Sequence, residues 1–446
     1  MMPLRIFLCA IPSLFFAAGL GAQEPEAIAR GKKALETRAF TPGGWSFAAY
    51  ENAWKQWQPK LDKTPDNYDE AFRAHYGLHA APFDNGRYPM GLRSGTLLFA
   101  KGLATDCMLC HGGSILGNSH IGLGNASLDI QAFFEDLNKA SGLSGKLPFT
   151  FSNVRGTSEA GAMAVFLHSF RNPDLSLRLE RHKWELQDDL CEDVPAWWLL
   201  KKKKTMYHTG GADARSVRSI MQFMLTPNNG VTTFEKAELV FKDIQAFILS
   251  LEAPKYPFAI DRKLADTGHI LFDRKCAQCH GTYGKEWTYP NKVVPLIVVG
   301  TDPNRFRGLP VKLGEFYNES WFAKEKPEGY KSFAPLGYQA PPLDGVWATA
   351  PYLHNGSVPT LYDVLNSKTR PKLFTRSYRT YEVDYDKVKV GWKVERLQTP
   401  PMDGSPHERR KNYDTTQPGR GNQGHTFGDD FTDEQRWAIV EYLKTL

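Results

Sequence analysis

The chain carries the pattern Cys-X-X-Cys-His twice, at residues 107–111 and 276–280. Four of its six cysteines belong to these two copies. With six cysteines and 12 histidines among 446 residues, the pattern would arise by chance ~0.002 times per chain. Two copies therefore indicate that two places in the chain need the same chemistry, and this requirement constrains how the chain can fold.

Three chemistries use paired cysteines, and one of them also needs the adjacent histidine. A zinc ribbon places its two pairs about 15–20 residues apart, whereas Cys110 and Cys276 are 166 positions apart. A thioredoxin-type dithiol needs no adjacent histidine and belongs beside a βαβ pattern, which we do not find. In c-type attachment both thiols bond the haem and the histidine binds its iron. The sequence predicts two covalently bound c-type haems, held by Cys107, Cys110 and His111 and by Cys276, Cys279 and His280.

The first 22 residues have the pattern of a secretory signal peptide. Arg5 precedes an apolar run from Ile6 to Leu20, and small residues follow at Gly21 and Ala22. The run is too short for a comfortable membrane span, and no stretch of about 18 apolar residues follows it. We expect cleavage near Ala22, a periplasmic or secreted protein and no stable membrane insertion; the alternative is an uncleaved anchor.

The composition fits an exported globular protein. The hydrophobic share of 41% is ordinary, and 29 prolines with 38 glycines predict much irregular chain. A formal charge of +6 is mild for this size and does not suggest a nucleic-acid partner. The lysine run 201–204 most simply forms a solvated face, and docking of an acidic redox partner is the alternative. Cys191 remains alone once Cys9 leaves with the signal, so we expect no disulfide framework.

The expected fold is mostly α, with two cytochrome c-type haem domains, irregular loops and a small β-hairpin insertion. The domains span 91–254 and 255–446, after an N-terminal extension at 23–90. Two prolines within 252–258 break helical structure and mark the linker. Each haem should form much of the core of its own domain.

Each predicted domain closes with an amphipathic helix. The first begins at Thr232 and the second at Thr432, each with Glu or Gln three residues later as in a capping box. The short matches GTLLF at 95–99 and GHILF at 268–272 precede the two motifs and suggest that the halves repeat. Within a long polar insertion at 366–422, residues 381–390 suggest a short hairpin.

The stretch APPLDGVWATAPYLHNGSVPTLYDVL, residues 340–365, resembles a block of bacterial di-haem cytochrome c peroxidases and MauG-type enzymes. In that superfamily the block follows the second haem motif. Within that block the form PPLDGVWATAPYLHNGSVP at 341–359 is most similar to the rubber-oxygenase-like (RoxA-like) branch, as are DVPAWWLLKKK at 193–203 and NQGHTFG at 422–428. The resemblance covers most of 91–446. It implies that the N-terminal haem reacts with peroxide or dioxygen and that the C-terminal haem transfers electrons.

The resemblance also implies iron ligands beyond His111 and His280. A histidine near the C-terminus caps the second haem in the RoxA-like branch, and His425 matches it; Met402 is the alternative. His354 belongs to the block at 340–365, called the signature block below. It lies near the second haem and its propionates, or it is a structural hydrogen-bonding residue. His120 is a candidate distal ligand of the first iron. A calcium ion between the domains stays open.

Peroxidases and MauG carry a tryptophan between their haems, and this chain departs from that pattern. The comparable stretch here is 206–210, so Tyr207 or His208 stands in its place. Trp197 and Trp198 lie just upstream and are the other relay candidates, although such aromatic pairs also occur simply as core. Acid–base groups over the reactive iron stay open among Arg155, His168 and Gln222.

Two classes of function follow from the predicted ligands. Haem iron with one protein ligand can bind peroxide or dioxygen, whereas iron with two normally only transfers electrons. The leading prediction is a periplasmic di-haem oxidoreductase, peroxidase-like or oxygenase-like, that acts on peroxide, dioxygen or an organic substrate. Its electron donor would be a small redox protein or another donor. The alternative is a di-haem electron-transfer cytochrome with no catalysis of its own.

Overall fold

A computed structural model describes residues 24–97, 100–227, 229–326, 329–334, 336–401 and 403–446. The predicted signal peptide at 1–22 and the candidate ligand Met402 lie outside these ranges. Helices are the main regular structure, and long irregular segments join them to small antiparallel sheets. The mostly α architecture is thus as predicted, with more β-structure than the single hairpin expected.

The α-helices, in chain order, are α1 (Pro25–Thr37), α2 (Phe47–Asn52), α3 (Tyr68–Tyr76), α4 (Met108–His111), α5 (Ile130–Ala140), α6 (Ala160–Ser169), α7 (Val217–Ile220), α8 (Val231–Ser250), α9 (Arg262–Lys275), α10 (Ala277–His280), α11 (Leu296–Val299), α12 (Asn304–Arg307), α13 (Val311–Glu319), α14 (Leu361–Leu365), α15 (Pro406–Arg410) and α16 (Asp433–Leu443). Short 3-10 helices are Ala53–Gln56, Trp197–Lys202, Gln222–Met224, Trp321–Lys324, Val346–Ala348, Ser367–Thr369 and Glu382–Asp384. In the part of the chain that the structure describes, no helix is long and apolar enough to cross a membrane.

The strands pair in antiparallel fashion: β1 (Leu92–Leu97) with β2 (Ala100–Thr105), β3 (Gly112–Ile115) with β4 (Asn118–Ile121), β5 (Thr205–Met206) with β6 (Ala212–Asp213), β7 (Val293–Pro295) with β8 (Gly337–Gln339), and β10 (Tyr385–Asp386) with β11 (Gly391–Trp392). One sheet has three strands, with β9 (Leu373–Thr375) between β12 (Glu395–Arg396) and β13 (Asn412–Asp414). The β1–β2 and β3–β4 hairpins flank the first cysteine motif.

The two predicted closing helices are present, and one of the two predicted caps is correct. Helix α16 has Thr432 as its N-cap, and the complete capping box with Gln435 is formed. Helix α8 instead begins after Gly230, and no side chain caps it. The cap predicted at Thr232 is wrong because the helix starts one residue before it, so its hydroxyl is already inside the first turn.

Each closing helix crosses a second helix at a glycine. A Cβ at Gly31 of α1 would lie 1.9 Å from the Asp243 carbonyl oxygen of α8, and one at Gly268 of α9 would lie 1.9 Å from the Ala438 carbonyl oxygen of α16. Only glycine allows backbones to approach so closely. The counterpart of Gly268 is therefore Gly31, and not Gly95 as the GTLLF match suggested, because Gly95 lies in strand β1.

The insertion contains the predicted hairpin in a shorter form. Residues 382–384 form a 3-10 turn, and the pairing starts only at Tyr385, which faces Trp392. The hairpin predicted at 381–390 is thus displaced toward the C-terminus. The Tyr385 hydroxyl donates to the Trp347 carbonyl oxygen at 2.7 Å, so the hairpin is anchored to the signature block.

The buried clusters cross the predicted domain limits. One cluster joins Ile115, Leu123 and Trp198 to the apolar face of α16. Another joins Ala34 and Leu35 of α1 to α8 and to the segment around Phe322. The limits at 90/91 and 254/255 stay predictions, but the N-terminal extension shares its core with the first motif.

Candidate haem sites

The first motif forms one helical turn directly after the β1–β2 hairpin. Cys107 is the N-cap of α4, and Met108 and Leu109 are buried beneath it. The Met108 N–H donates to the Asp106 carboxylate at 2.7 Å, and Asp106 is also paired with the buried Arg93. This support places both thiols and the histidine on one turn, as c-type attachment requires.

His111 is held as a neutral imidazole with its face against an indole ring. Burial lowers its pKa to about 4, and an interaction with the backbone of Pro195 opposes that shift. The rings of His111 and Trp197 stack with centroids 4.9 Å apart and planes inclined by 27°. The neutral form is the one that binds a metal.

The second motif follows α9 without a break. Cys276 is at once the C-cap of α9 and the N-cap of α10. Nδ1 of His280 lies 2.8 Å from the Pro341 carbonyl oxygen. Because a carbonyl can only accept, the proton sits on Nδ1 and the lone pair of Nε2 is free for a metal.

His425 faces His280. Their ring centroids are 6.2 Å apart and their planes are inclined by 63°. When two imidazoles bind one metal ion from opposite sides, their ring centroids lie about 6 Å apart, because each metal–nitrogen bond is about 2 Å long. Burial and the neighbouring His280 lower the pKa of His425 to about 3, and its Nδ1 is buried without a partner. The pair fits the two axial positions of a haem iron.

The loop that carries His425 is firmly held. The His425 N–H donates to the Val299 carbonyl oxygen at 2.6 Å. The Arg370 guanidinium donates to the carbonyl oxygens of Asn422, Gly424 and His425 at 2.6, 2.7 and 3.2 Å. His425 itself has a φ of 44°, a conformation that costs energy for a non-glycine residue and marks functional sites.

Apolar side chains beside this pair are left in solvent. Ile297 and Val298 of α11 are 93% and 57% exposed, and Phe427 is 38% exposed with its ring 5.2 Å from that of His425. Exposed apolar groups clustered around a ligand pair are what a porphyrin would cover. The residues present therefore fit a haem at the second motif.

The structure brings His354 next to His208, although they come from different predicted domains. Their ring centroids are 6.3 Å apart. His354 stacks on Tyr338 at 4.0 Å, and its Nε2 is buried without a partner. Nε2 of His208 lies 2.7 Å from the Asp193 carbonyl oxygen, and the Asp193 N–H donates to the His354 carbonyl oxygen at 2.8 Å. Among ring contacts of the described residues, His354 does not meet His280 or His425.

The tandem tryptophans connect the two motif histidines. Trp197 stacks on His111, and Trp198 donates from Nε1 to the Asp344 carbonyl oxygen at 2.9 Å. Asp344 lies three residues after Pro341, whose carbonyl oxygen contacts His280. Tyr207 contacts neither motif histidine through its hydroxyl, which donates to the Ser219 carbonyl oxygen at 3.3 Å.

The remaining candidates are spread over the molecule. His120 lies in β4 opposite Gly113. His168 contacts the Ala164 carbonyl oxygen of its own helix at 2.9 Å. Gln222 donates to the Tyr207 hydroxyl at 3.0 Å, and Arg155 donates to the carbonyl oxygens of Ser127 and Ala74. None of these contacts directs an acid–base group at His111.

The lysine run is less solvated than predicted. Lys201 pairs with Glu252 at 2.6 Å and Lys202 with Asp344 at 2.7 Å. Burial lowers the pKa of Lys203 to about 8, and of the four only Lys204 is classed as exposed. The run therefore supports the Trp198–Asp344 contact more than it offers a basic surface.

The calcium prediction receives no further support from side chains. Within the described ranges, no group of three or more His, Cys, Asp or Glu residues is arranged to hold a metal ion. Backbone oxygens also bind calcium, so calcium stays a prediction.

Residues 337–375 match the family model described as RoxA-like, cytochrome c-like. This segment is RoxA-like, as the sequence predicted. The RoxA-like segment contains Pro341, which contacts His280, and Arg370, which holds the His425 loop. It also contains Asp344 and His354, whose partners Trp198 and His208 lie in the first predicted domain. The match supports c-type haem as cofactor and a haem-dependent redox role.

Two curated proteins of Sinorhizobium fredii are related in sequence. The chain is 31% identical to the uncharacterized protein y4iJ over 261 residues, which are 44% of this chain and 41% of y4iJ. It is 28% identical to the uncharacterized protein y4iM over 293 residues, which are 57% of this chain and 64% of y4iM. The chain thus spans less than two thirds of either relative.

Two solved structures show remote likeness. One is a MauG-like protein associated with microbial copper homeostasis, with 16% identity, a TM-score of 0.31, and coverage of 68% of this chain and 91% of that chain. The other is hydrazine synthase of Kuenenia stuttgartiensis, with 14% identity, a TM-score of 0.29, and coverage of 64% and 87%.

Proposed function

We propose that this protein is a periplasmic di-haem c-type oxidoreductase whose two irons have different roles. The haem on the first motif would react with peroxide or dioxygen, and the haem on the second would transfer electrons. The observation that carries this proposal is an asymmetry between the motif histidines. His280 faces a second imidazole at 6.2 Å, whereas the ring in contact with His111 among the described residues is the indole of Trp197.

At the second motif, His280 and His425 would both bind the iron of the haem. His280 and His425 are neutral because burial lowers the pKa of each. The Pro341 carbonyl oxygen orients the first ring, and the contacts of Arg370 and Val299 fix the loop of the second. Ligands held this firmly change little when the charge of the iron changes, which suits electron transfer.

At the first motif, His111 is the histidine that would bind the iron, and no second imidazole faces it among the ring contacts of the described residues. His111 is oriented by the stack on Trp197 and by its interaction with the Pro195 backbone. A haem with an open coordination position supplies chemistry on peroxide or dioxygen. The protein's part is to exclude competing ligands and to leave room for the substrate.

We assign the relay role to Trp197 and Trp198 in preference to Tyr207 and His208. The stack on His111 and the hydrogen bond to Asp344 support this choice, because together they join the two motif histidines through bonded or directly contacting groups. The electron donor would be a small redox protein. We do not place its docking face on 201–204, because two of those lysines are paired within the chain.

The EPR spectrum of the oxidised, haem-loaded protein tests the proposal. One high-spin and one low-spin ferric signal are expected. His425→Ala should convert the low-spin signal to high spin, because the second iron loses an axial ligand. The matched control His120→Ala should leave both signals unchanged.

Two low-spin signals in the wild type would contradict the proposal and favour the electron-transfer cytochrome with both irons capped. An unchanged low-spin signal in His425→Ala would remove His425 as the ligand and leave Met402 as the candidate.

A further inference from the structure

A small, partly enclosed cavity lies where three separate parts of the chain meet. Its walls come from Ala126 and residues 155–157, from Pro351, Gly356 and Pro359 of the signature block, and from Phe374, Arg376, Tyr378, Trp392 and Tyr413 of the insertion. It has room for one group about the size of a water molecule. No residue placed above at either haem lines this cavity.

Two guanidinium groups face the cavity without carboxylate partners. Arg155 is 5% exposed and donates to the carbonyl oxygens of Ser127 and Ala74 at 2.8 and 3.0 Å. Arg376 donates to the Ala126 carbonyl oxygen, and its Nη1 is buried without a partner. Among the described residues, neither arginine forms an ion pair with an aspartate or glutamate.

The nearby acids are engaged elsewhere or resist ionisation. Asp129 accepts from Arg410 at 2.9 and 3.0 Å and contacts His407 at 2.7 Å. Asp384 is paired with Arg379 at 3.0 Å. Burial raises the pKa of Asp193 well above its usual range. Asp129 is linked to Arg155 through His407, whose Nε2 lies 3.4 Å from Nη1 of Arg155. In the described contacts Arg376 has no such link, so the positive charge at the cavity is only partly balanced.

The aromatic walls leave the edge of Arg376 for a ligand. Its guanidinium carbon lies 4.3 Å from the ring centre of Tyr378 and 4.9 Å from that of Trp392. Both rings approach as cation–π partners, and Nη1 of Arg376 is left without a hydrogen-bond partner. Burial and the neighbouring Arg155 lower the pKa of Arg376 to about 10, so it remains charged at neutral pH.

We propose that this cavity binds one small monovalent anion of the halide class, held by Nη1 of Arg376 and by the charge of Arg155. An anion supplies both things that the site lacks, an acceptor for a buried N–H and a counter-charge for buried cations. The size of the cavity favours chloride over sulfate or phosphate. Bound there, the anion links the first domain, the signature block and the insertion.

Crystals of the haem-loaded full chain soaked in sodium bromide test the site directly. Anomalous diffraction at the bromine edge should show one bromide in the cavity, within hydrogen-bonding distance of Nη1 of Arg376. A water molecule without anomalous signal, or a haem carboxylate in that position, would overturn the proposal.

Thermal unfolding gives a second measurement in solution. At constant ionic strength, with gluconate replaced by chloride, the unfolding midpoint of the wild type should rise with chloride concentration, because a ligand that binds only the folded state stabilises it. Arg376→Gln should abolish this dependence, and Arg379→Gln, an exposed arginine of the same segment, should keep it.

A wild-type midpoint that ignores chloride would sink the proposal. If Arg376→Gln does not fold, the wild-type titration and the bromide position still decide the question. The bromide position and the comparison of Arg376→Gln with the wild type do not depend on the ligands of the two irons, so the anion site and the proposed function can fail separately.

Discussion

At the scale of single residues, the two motif histidines differ in what holds their rings. The Pro341 oxygen lies 2.8 Å from Nδ1 of His280, and the Pro195 backbone interacts with His111. The hydrogen bond at Nδ1 of His280 fixes its tautomer and makes Nε2 a better ligand, whereas Nδ1 of His111 is buried without a hydrogen-bond partner. A further difference is that, of the two motif histidines, only His280 faces a second imidazole in the described contacts.

A second consequence at this scale concerns Trp197. Trp197→Phe should slow electron transfer from the second site to the first without changing haem content or spin state, because phenylalanine is smaller and harder to oxidise. The measurement is the stopped-flow rate at which peroxide oxidises the reduced second haem. Trp45→Phe, a buried tryptophan of the N-terminal extension, is the matched control. An unchanged rate in Trp197→Phe, with a slower rate in Tyr207→Phe, would move the relay to Tyr207.

His168 makes stability depend on pH. Burial lowers its pKa to about 4, whereas an unfolded histidine titrates near 6.5. The unfolded state therefore binds an extra proton below about pH 6.5, and stability is lost as the pH falls toward 4. Between pH 7.5 and pH 5, the unfolding free energy of the wild type should fall by about 2 kcal/mol more than that of His168→Leu. Denaturant unfolding at both pH values checks this, and equal losses would show that His168 is protonated in the fold.

The residues of the candidate haem sites differ in how much of the chain is needed to predict them. The cysteines and both motif histidines follow from a five-residue pattern, and His425 was reached through the resemblance. Pro195 and Pro341 lie 84 and 61 residues beyond the histidines that they contact. Nothing in such a spacing identifies a carbonyl as a partner, since any residue has one. The neighbouring positions of His208 and His354 also arise only from the packing of distant segments.

At the scale of helices, the crossings at Gly31 and Gly268 carry the architecture. Gly268→Ala should lower the free energy of unfolding by about 3 kcal/mol, because the added Cβ collides with backbone that cannot move aside. Thermal unfolding of the haem-loaded protein measures the change. Gly44→Ala is the control, since its Cβ would meet nothing within 4 Å. Equal midpoints for the two variants would mean that α9 and α16 separate readily.

The same helices show where sequence patterns succeed. The capping box at Thr432 is a local signal and was predicted correctly. The partnership of α1 with α8 joins segments about 200 residues apart, and α1 is separated from its motif by the whole stretch that carries α2, α3 and the β1–β2 hairpin. The short match GTLLF before the first motif was therefore interpreted as the repeat of GHILF. The glycine that corresponds to Gly268 is instead Gly31, much earlier in the chain.

At the scale of the whole molecule, the prediction of two haems can be counted. Pyridine haemochrome analysis should give two c-type haems per wild-type chain, and one for Cys107→Ala/Cys110→Ala or for Cys276→Ala/Cys279→Ala, because each pair bonds its own haem. One haem in the wild type would contradict the assignment of the two motifs. A loss of both haems in either double variant would show instead that the halves cannot assemble independently, as the shared buried clusters allow.

The separation of α1 from α8 has a consequence for biosynthesis. The chain emerges from its N-terminus, so α1 and the first cysteine pair appear long before residues 231–250 are made. Until that helix is made, its backbone cannot pack on Gly31 of α1, so the buried cluster beside the first cysteine pair stays incomplete. In the second half, Cys276 and Cys279 likewise wait for α16. We therefore expect covalent attachment to precede closure at both sites, with the last helix of each half acting as the final step of maturation.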